Sequence, residues 1–474
     1  MKNFEQFYIN GCWVNPVEPR SLDVINPSDE SVCGRISLGS EADVDIAVNA
    51  AADAFPSFAK LSTAQRQDLL AAVIDQYKKR YNDIADAISL EMGAPTQLAI
   101  KAQTGAGLAH LKAAHKLLND FSFESSQGAS RIVKEPIGVC ALITPWNWPI
   151  NQITCKVAPA IAVGCSVILK PSEIAPLSAY VFTEVMHQAG VPAGVFNMIN
   201  GDGAGVGTAL SKHRLVDMVS FTGSTRAGSL VAQNAAPSIK RVTQELGGKS
   251  PNIILPDADF EKAVKQGTHA VFSNSGQSCN APTRMLVPED KLAEAEEIAA
   301  KVASKVQVGP ADKEGTTMGP VVSEVQYNKI QALIQKGLDE NAKLVCGGLG
   351  KPESLTKGYF VKPTVFSNVS NQMTIAKEEI FGPVLSIIPY QSIEQAIEIA
   401  NDTPYGLAGY VQGTDPELLK QVAASIRAGN ISINGQSGDI MTPFGGFKQS
   451  GNGREWGAYG FEDYLEIKAI SGLA

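Results

Sequence analysis

Cys279 lies in a segment whose composition suits a reactive thiol. The run from Phe272 to Arg284 surrounds it with glycine and small polar residues, and almost nothing bulky shields it. A structural cysteine usually sits among apolar neighbours, whereas a nucleophilic thiolate needs access and local polarity to hold its charge. We therefore predict a presented nucleophile, a feature that proteases, redox sensors and acyl carriers share.

Glu245 is the first candidate partner, because Gly247 and Gly248 follow it almost directly. Glycines permit a tight turn and the close approach of another group. A carboxylate in that position could act as a general base if partial burial raised its pKa and a water lay within reach. The alternative is a surface glutamate that caps a turn.

Asn147 is the second candidate, since Pro145, Trp146, Trp148 and Pro149 enclose it. Two tryptophans and two prolines make a rigid holder, and a rigid amide N–H can stabilise an oxyanion. The alternative is an asparagine whose side chain satisfies the backbone of its own turn.

Two further segments could bind a dinucleotide. The glycine-rich run 201–207 follows an apolar segment and precedes a helical one, although its spacing is not GxGxxG and a simple loop closure would look similar. The run from Phe221 to Thr225 could offer backbone N–H groups and a hydroxyl to a pyrophosphate, or could only cap a helix.

The elements that position these residues follow from the apolar pattern. Short apolar runs separated by helix-length segments predict a parallel, doubly wound sheet, with ligands at the carboxyl ends of its strands. These runs are Ile137–Ile143, Ser166–Leu169, Val195–Ile199 and Met218–Phe221. A second α/β series extends from Pro251 to Asn434.

The amino-terminal part is predicted to be a hairpin followed by helices. Phe7–Ile9 and Cys12–Val14 flank Asn10-Gly11, and Ser40 with Asp43 resembles a capping pair. The alternating tail Tyr464–Ile470 and the stretch near Arg131–Val133 could pair as a third, small sheet that another subunit covers.

Size and charge narrow the class of protein. The chain has 474 residues, a formal charge of −8 and no Lys/Arg block, which argues against nucleic-acid binding. The amino terminus lacks the pattern of a signal peptide, and the longest apolar run, Val157–Leu169, contains Pro159 and Gly164 and is too short to span a bilayer. We expect a soluble protein without membrane contact.

The number and spacing of the cysteines indicate a reducing compartment. The seven cysteines are scattered, without a CxxC pair or a partnering histidine spacing. We therefore expect a cytoplasmic protein with no metal site. The same absence disfavours Cys–His proteases and dithiol redox sensors for Cys279.

Taken together, these segments resemble the aldehyde dehydrogenase superfamily over nearly the whole chain, and specifically its hydrolytic, NAD(P)-dependent branch. Glu245 and Cys279 are separated by 34 residues, which suits the family pattern. The motifs occur in family order: Pro-Trp-Asn at 145–147, Lys-Pro-Ser-Glu at 170–173, Glu-Leu-Gly-Gly-Lys-Ser-Pro from Glu245, Phe-x-Asn-x-Gly-Gln-x-Cys-x-Ala-x-x-Arg ending at Arg284, Glu-Glu-Ile-Phe-Gly-Pro-Val at 378–384, and Pro-Phe-Gly-Gly-Phe-Lys-x-Ser-Gly at 443–451.

The resemblance implies an α/β fold with three parts: a Rossmann-like, doubly wound cofactor domain, an α/β catalytic domain and a small β oligomerisation element. It also implies a homodimer or homotetramer. The predicted ranges are 1–115 and 137–247 for the NAD-binding domain, 248–447 for the catalytic domain, and 116–136 and 448–474 for the oligomerisation element.

The resemblance further implies the reaction, which is oxidation of a small-molecule aldehyde to the carboxylic acid. Cys279 would attack the aldehyde carbon, and the Asn147 side chain with the Cys279 backbone N–H would stabilise the oxyanion. Hydride loss would leave a thioester on sulfur. Glu245 would activate the water that hydrolyses this thioester.

The cofactor residues carried over from the family favour NAD over NADP. Lys170 and Glu173 would hold the adenosine ribose, and the acidic Glu173 would repel a 2′-phosphate. Ser224 would contact the pyrophosphate, Glu379 the nicotinamide ribose, and Phe381 the neighbourhood of the ring. The remaining residues assigned to cofactor binding are Ile143, Thr144, Pro145, Trp146, Ser172, Gly203, Gly207, Phe221, Gly223 and Leu246.

Four positions that are often apolar in the family's fatty-aldehyde and acetaldehyde branches are assigned to the substrate tunnel: Trp148, Asn151, Cys155 and Ser273. A partly polar tunnel would favour an aldehyde with a hydroxyl, amide, carboxylate or heteroaromatic group, since unpaired buried polar groups penalise an apolar ligand.

Two other functions stay open from the residues alone. A thiol-dependent esterase could use the same Cys279 and Glu245, and a catalytically silent NAD-binding protein could share the scaffold. Acylating relatives, which pass the thioester to coenzyme A, commonly lack the glutamate, so Glu245 argues against them.

Overall fold

A computed structural model describes residues 2–472, so Met1 and residues 473–474 of the predicted ranges lie outside the described part. The strands are β1 Lys2–Phe4, β2 Phe7–Ile9, β3 Cys12–Val14, β4 Ser21–Ile25, β5 Val32–Ser37, β6 Glu124–Gln127, β7 Ser130–Pro136, β8 Val139–Ile143, β9 Ser166–Lys170, β10 Phe196–Met198, β11 Met218–Thr222, β12 Arg241–Glu245, β13 Pro251–Ile254, β14 Arg284–Pro288, β15 Lys343–Cys346, β16 Thr364–Ser367, β17 Val384–Tyr390, β18 Ala408–Gln412, β19 Asn430–Ile433, β20 Gly451–Asn452 and β21 Leu465–Ser471.

The α-helices alternate with these strands over much of the chain. They are α1 Glu41–Phe58, α2 Thr63–Lys79, α3 Tyr81–Met92, α4 Thr96–Leu98, α5 Gly105–Asp120, α6 Pro149–Val163, α7 Leu177–Gln188, α8 Thr208–Lys212, α9 Thr225–Ala235, α10 Phe260–Phe272, α11 Leu292–Ala303, α12 Glu324–Asp339, α13 Thr374–Lys377, α14 Ile393–Asn401, α15 Pro416–Ser425 and α16 Gly457–Glu462. Short π-helical turns occupy Ala99–Thr104 and Gly203–Gly207.

The first large sheet has eight strands in the order β20-β12-β11-β8-β9-β10-β2-β3. Its five central strands, β12 to β10, are parallel, and every residue of β8, β9 and β11 is buried. Strands covered on both faces need near-continuous apolar runs, which is the pattern that predicted them. The doubly wound cofactor-type sheet is confirmed.

The amino-terminal predictions are also confirmed. Strands β2 and β3 form the antiparallel hairpin, and its turn residues Asn10 and Gly11 have φ values of 52° and 78°, as a two-residue turn of this hand requires. Ser40 and Asp43 form a reciprocal capping box at the start of α1.

The second large sheet has seven strands in the order β15-β16-β17-β14-β13-β18-β19. All its pairings are parallel except that of β15 with β16. Apolar clusters cover both faces, one containing Leu286 and Ile388 and the other Met285 and Ile387. Adjacent residues of one strand thus serve opposite cores.

A third sheet joins β21, β7 and β6 in antiparallel register, with Leu465 opposite Pro136 and Ser471 opposite Ser130. The predicted pairing of the tail with the stretch near residue 131 is confirmed. Ile467 on β21 is 68% exposed.

The predicted domain limits stay a prediction, although two elements cross them. Helix α5 continues through residue 116, and β20, within the range 448–474, belongs to the first large sheet. None of the helices in residues 2–472 combines the length and the apolar character needed to cross a membrane.

Candidate active site

A pocket of about 190 Å³ opens where β8, β11 and β12 of the first sheet end. The loops after these strands contribute Pro145 to Asn147, Gly223 with Ser224, and Leu246 with Gly247. Cys279 and Glu379, which lie in the part of the chain that forms the second large sheet, complete the lining. The three candidate catalytic residues, far apart in sequence, therefore line one pocket at the carboxyl ends of parallel strands, as such sheets place ligands.

Cys279 lies just after an unusual turn that follows helix α10. Asn274 and Ser275 both have left-handed backbone conformations, with φ values of 51° and 55°, which are costly outside glycine. Tertiary hydrogen bonds hold the turn: Ser275 Oγ donates to Gly319 O at 2.8 Å, and Val322 N donates to Gln277 Oε1 at 2.9 Å. The backbone strain is thus maintained by the surrounding structure.

The setting of Cys279 differs from the sequence-based expectation. The residue is only partly exposed, and the pKa of its thiol is raised, first by burial and then by the carboxyl groups of Glu379 and Glu245. Small polar neighbours in sequence gave no sign of these two acids. Burial and the two neighbouring carboxyl groups therefore favour the protonated form of the Cys279 thiol.

Asn147 is buried, and its side chain bonds outside its own turn. Its Nδ2 donates to the carbonyl of Gln277 at 3.0 Å, while its own carbonyl accepts from Asn274 Nδ2 at 2.9 Å. These bonds tie the loop after β8 to the cysteine loop. One of the two Nδ2 hydrogens is occupied by Gln277 and the other is free to donate to a ligand.

Glu245 ends β12 and is 5% exposed, which excludes the alternative of a surface cap. Burial is the main cause that raises the pKa of its carboxyl group well above the usual value, and the neighbouring Glu455 adds to it. Lys156 and Arg454 act in the opposite direction. Within residues 2–472, Glu245 Oε2 has no hydrogen-bond partner.

An ion pair lies beside this glutamate. Lys156 Nζ contacts Glu455 Oε1 and also donates to Ser220 Oγ at 3.0 Å. Both charged groups are buried, so the attraction between them is needed to offset the cost of removing each charge from water. The two members of the pair act on the pKa of Glu245 in opposite directions, and the burial of Glu245 remains the largest cause of its raised pKa.

The residues assigned to the pyrophosphate and nicotinamide lie along the same pocket. Ser224 caps helix α9 by accepting from Ala227 N at 3.3 Å, so the helix-cap alternative is correct and the helix amino terminus still faces the pocket. Glu379 Oε1 accepts from Gly248 N at 2.9 Å. The ring of Phe381 meets that of Trp146 edge to face, with centroids 5.3 Å apart.

Lys170 and Glu173 form a second cluster outside this pocket lining. Lys170 Nζ is buried and donates to Glu173 Oε2 at 3.2 Å and to Pro171 O at 2.9 Å. A Cβ placed on Gly207 would lie 4.0 Å from Lys170 Cε, so the glycine-rich run is close by. The backbone N–H of Thr144 donates to Lys170 O at 3.0 Å, which joins this cluster to the loop that carries Asn147.

The four residues assigned to the substrate tunnel do not line the pocket around Cys279. Trp148 Nε1 donates to Ser278 Oγ at 2.9 Å, Asn151 Oδ1 lies 2.8 Å from His110 Nε2, and Ser273 is exposed. The Cys155 thiol is buried and donates to Glu455 Oε2 at 3.3 Å. The structure therefore places the polar atoms of Trp148, Asn151 and Cys155 in contact with protein groups.

Sequence reasoning missed several lining residues. Gln152 on α6 lines the pocket, and so do Gln326 and Lys329 on α12. Gln326 Nε2 donates to Phe381 O at 2.8 Å, whereas Gln152 Oε1 is buried without a partner within residues 2–472. The helical position of Gln152, one residue after Asn151, was the available signal.

Residues 2–472 contain no group of three or more histidine, cysteine, aspartate or glutamate side chains that could hold a metal ion.

The partly exposed thiol of Cys279 and the buried side chains of Asn147 and Glu245 lie together at the ends of the strands of a doubly wound sheet. Such a set of groups can support covalent chemistry with a stabilised oxyanion. The model of the aldehyde dehydrogenase family matches residues 13–470. This chain belongs to the aldehyde dehydrogenase family and is an oxidoreductase of that class.

The similarity to individual relatives extends over whole chains. A 3-succinoylsemialdehyde-pyridine dehydrogenase from a Pseudomonas species is 54% identical, with 100% of this chain and 99% of the relative covered. A crystal structure of a mutant aldehyde dehydrogenase C from Pseudomonas syringae, in complex with NAD+ and octanal, is 52% identical with a TM-score of 0.98, covering 99% of this chain and 97% of that one. A point mutant of betaine aldehyde dehydrogenase from Staphylococcus aureus, bound to NAD+, is 36% identical with a TM-score of 0.95, covering 98% and 95%.

Proposed function

We propose that this enzyme oxidises an aldehyde to the carboxylic acid with NAD, through a thioester on Cys279. The observation that carries the proposal is that Cys279, Asn147 and Glu245 line one pocket together with the residues assigned to the nicotinamide end of the cofactor. Nucleophile, oxyanion donor and base are the three groups that this chemistry needs.

The shape and charge of the pocket support NAD as the cofactor. The amino terminus of α9 suits a pyrophosphate. A Cβ on residue 247 would lie 2.8 Å from the Glu379 carboxyl carbon, which is too close, so Gly247 keeps the space beside that carboxyl group open. The partly exposed Glu173 carboxylate can accept from ribose hydroxyls and disfavours a 2′-phosphate. Bound NAD+ supplies the hydride acceptor, as the NAD+ complexes of the similar structures suggest.

In the first half of the reaction, Cys279 Sγ bonds to the aldehyde carbon while the thiol proton passes to solvent water. The carbonyl electron pair moves to oxygen, where the free Asn147 Nδ2 hydrogen and the Cys279 backbone N–H stabilise the negative charge. Loss of hydride from carbon then re-forms the carbonyl as a thioester. Because the thiol pKa is raised in the pocket, this proton release is a demanding step.

In the second half, Glu245 takes a proton from water as the water oxygen bonds to the thioester carbon. The carbon–sulfur bond breaks, the proton returns to sulfur, and the carboxylic acid leaves. A raised pKa suits Glu245 to this role, because a stronger base removes the proton from water more readily.

We propose an aldehyde with a polar group near the reacting end as substrate. Gln152 supports this class, because its amide faces the pocket and Oε1 lacks a partner in the described chain, so an apolar ligand would leave it unpaired. The two similar proteins differ here, since one is named for a pyridine semialdehyde and the other binds octanal. Trp148, Asn151, Cys155 and Ser273 remain proposed as part of the tunnel beyond the pocket.

Assembly and location complete the proposal. A homodimer or homotetramer that covers the third sheet is supported by the exposure of Ile467 on β21. The scattered, unpaired cysteines support a reducing cytoplasm.

A panel of aldehydes, followed by NADH absorbance with NAD or NADP, tests the function, and Cys279→Ala is the control. We expect aldehyde-dependent NADH from the wild type and none above background from the variant. NADH production by the variant at the wild-type rate would remove the covalent mechanism. Turnover of an activated ester by a wild type that forms no NADH would establish the esterase instead. If the wild type showed neither aldehyde oxidation nor ester hydrolysis, the catalytically silent alternative would be established.

A further inference from the structure

We propose that Gln103 is a positioning residue, which fixes the oxyanion-stabilising amide of Asn147 by orienting Asn274. This inference rests on the proposed role of Asn147 and adds a residue that touches neither the aldehyde nor the cofactor. It concerns a network of buried amides from three distant segments of the chain.

The network starts in the π-helical turn Ala99–Thr104. Gln103 is 0% exposed, and its Nε2 donates to Asn274 Oδ1 at 3.1 Å and reaches the Asn147 carbonyl at 3.5 Å. Asn274 Nδ2 donates in turn to the carbonyls of Asn147, at 2.9 Å, and Gln277, at 3.2 Å. The Gln277 carbonyl also accepts from Asn147 Nδ2.

Gln103 gives this network its direction. An asparagine amide has a donor end and an acceptor end, and a rotation by half a turn exchanges them. Because Gln103 donates to Asn274 Oδ1, the Nδ2 of Asn274 must face the two carbonyls. With that orientation, the Asn147 loop and the cysteine loop are held together, and one hydrogen of Asn147 Nδ2 stays directed at Gln277. The other hydrogen is then held in a fixed direction for the oxyanion.

The cost of this arrangement indicates a purpose other than stability. Gln103 Oε1 is buried and has no partner within residues 2–472, and a buried orphan acceptor is destabilising. An apolar side chain of similar length would avoid that penalty. The π-helical turn is itself a rare conformation that is frequent at functional sites.

The first experiment replaces Gln103 by methionine, which keeps the length but cannot donate. The matched control is Thr104→Val in the same turn, because the Thr104 hydroxyl is also buried without a partner in the described chain. Removal of an oxyanion donor itself costs about a hundredfold or more in rate, so loss of its positioning is expected to lower kcat about tenfold. KM for the aldehyde should stay within about twofold, since the oxyanion forms only in the transition state. Thr104→Val should retain wild-type kinetics.

A double-mutant cycle separates positioning from a general structural role. If Gln103 acts through Asn147, Gln103→Met should lower kcat/KM about tenfold in the wild type but less than about twofold in an Asn147→Ala background. Equal losses in both backgrounds, or no loss in the wild type, would overturn the inference. If the methionine variant does not fold, as judged by its melting transition, Gln103→Asn takes its place, because its shorter amide cannot reach Asn274.

The same measurements distinguish a failure of the oxyanion assignment for Asn147 from a failure of the Gln103 inference. If Asn147→Ala has wild-type kcat, the oxyanion assignment of the proposed function fails, and the Gln103 inference fails with it. If Asn147→Ala is impaired while Gln103→Met is not, only the Gln103 inference fails.

Discussion

The buried amide of Gln152 makes substrate selectivity testable with one substitution. Gln152 is 7% exposed and lines the pocket beside Cys279, and its Oε1 accepts no hydrogen bond from residues 2–472. Because the side chain lines the pocket, a small rotation would let Oε1 accept from a substrate hydroxyl, whereas an apolar substrate leaves it unpaired, as it is in the free protein. Gln152→Met removes the acceptor at similar volume and flexibility.

The size of the effect follows from the energy of an unpaired group. Leaving one buried polar atom without its partner costs about 1–3 kcal/mol, and each 1.4 kcal/mol corresponds to about tenfold in a rate or binding ratio. The preference of the wild type for meta-hydroxybenzaldehyde over benzaldehyde, measured as the ratio of kcat/KM, should therefore fall about 5- to 150-fold in Gln152→Met. Most of the change should come from a poorer rate with the hydroxyl derivative, because benzaldehyde leaves Oε1 unpaired as it is in the free enzyme.

NADH absorbance at saturating NAD gives both kcat/KM values, and Gln326→Met is the matched control. Gln326 also lines the pocket, but its amide nitrogen donates to the carbonyls of Ile380 and Phe381. Its loss should slow both substrates by the same factor. An unchanged substrate ratio in Gln152→Met, or a wild type that prefers octanal to the hydroxylated aldehyde, would refute the reasoning.

Four further outcomes are expected. Glu245→Gln should give a rapid burst of about one NADH per site and then slow turnover in stopped-flow absorbance, because only thioester hydrolysis needs the base; a steady rate equal to the wild type contradicts this. Since burial raises the pKa of Glu245, its base form is lost as pH falls through that raised pKa, so the steady-state rate of the wild type should rise with pH there and Glu245→Gln should lack that rise. Glu173→Gln should reduce the preference for NAD over NADP about tenfold in kcat/KM, because a negative charge near the 2′-phosphate is removed; an unchanged preference would place the discrimination elsewhere. Arg284→Met should lose about 3–5 kcal/mol of unfolding free energy and about 3–5 °C in Tm by calorimetry, because this buried guanidinium donates to three carbonyls and a side-chain amide oxygen, while exposed Arg427→Met should not change Tm.

The sheets were predictable because their constraints are local. A strand covered on both faces must be apolar throughout, and Val139–Ile143 shows this directly in sequence. The hairpin turn at Asn10 and Gly11 has an equally local cause. The three-stranded sheet of β1, β5 and β4 was not predicted, since its strands are short and half-exposed and carry no periodic signal.

The proton affinity of Cys279 was not predictable from its neighbours in sequence. The residues next to it are small and polar, but the acids that raise its pKa lie 34 residues before it and 100 residues after it. Local composition reports the flexibility and volume around a thiol, whereas its charge state depends on the field of groups that the fold brings near. The sequence therefore predicts Cys279 as the nucleophile, which stays a prediction, but it does not predict the raised pKa of its thiol.

The residue of α6 that lines the pocket is one position after the residue predicted from sequence, Gln152 instead of Asn151. Neighbouring residues of an α-helix point about 100° apart, so Asn151 and Cys155 share one face while Gln152 points elsewhere. Asn151 and Cys155 meet His110 and Glu455, and Gln152 meets the pocket. The sequence predicts a polar tunnel, which stays a prediction, but it does not predict which side chain of α6 lines the pocket.

Gln103 and Gln152 escaped notice for a related reason. A cysteine or a glutamate beside glycines is unusual enough in sequence to suggest chemistry, whereas a glutamine is ordinary on any helix surface. What distinguishes these two is that each is buried with Oε1 unpaired in the described chain, one held against Asn274 and the other facing the pocket. Burying an amide without satisfying both ends costs stability, so a function that needs the amide is the simplest reason for its presence. The two substitutions to methionine separate the roles, since Gln152→Met should change which aldehyde is preferred and Gln103→Met should slow every aldehyde alike.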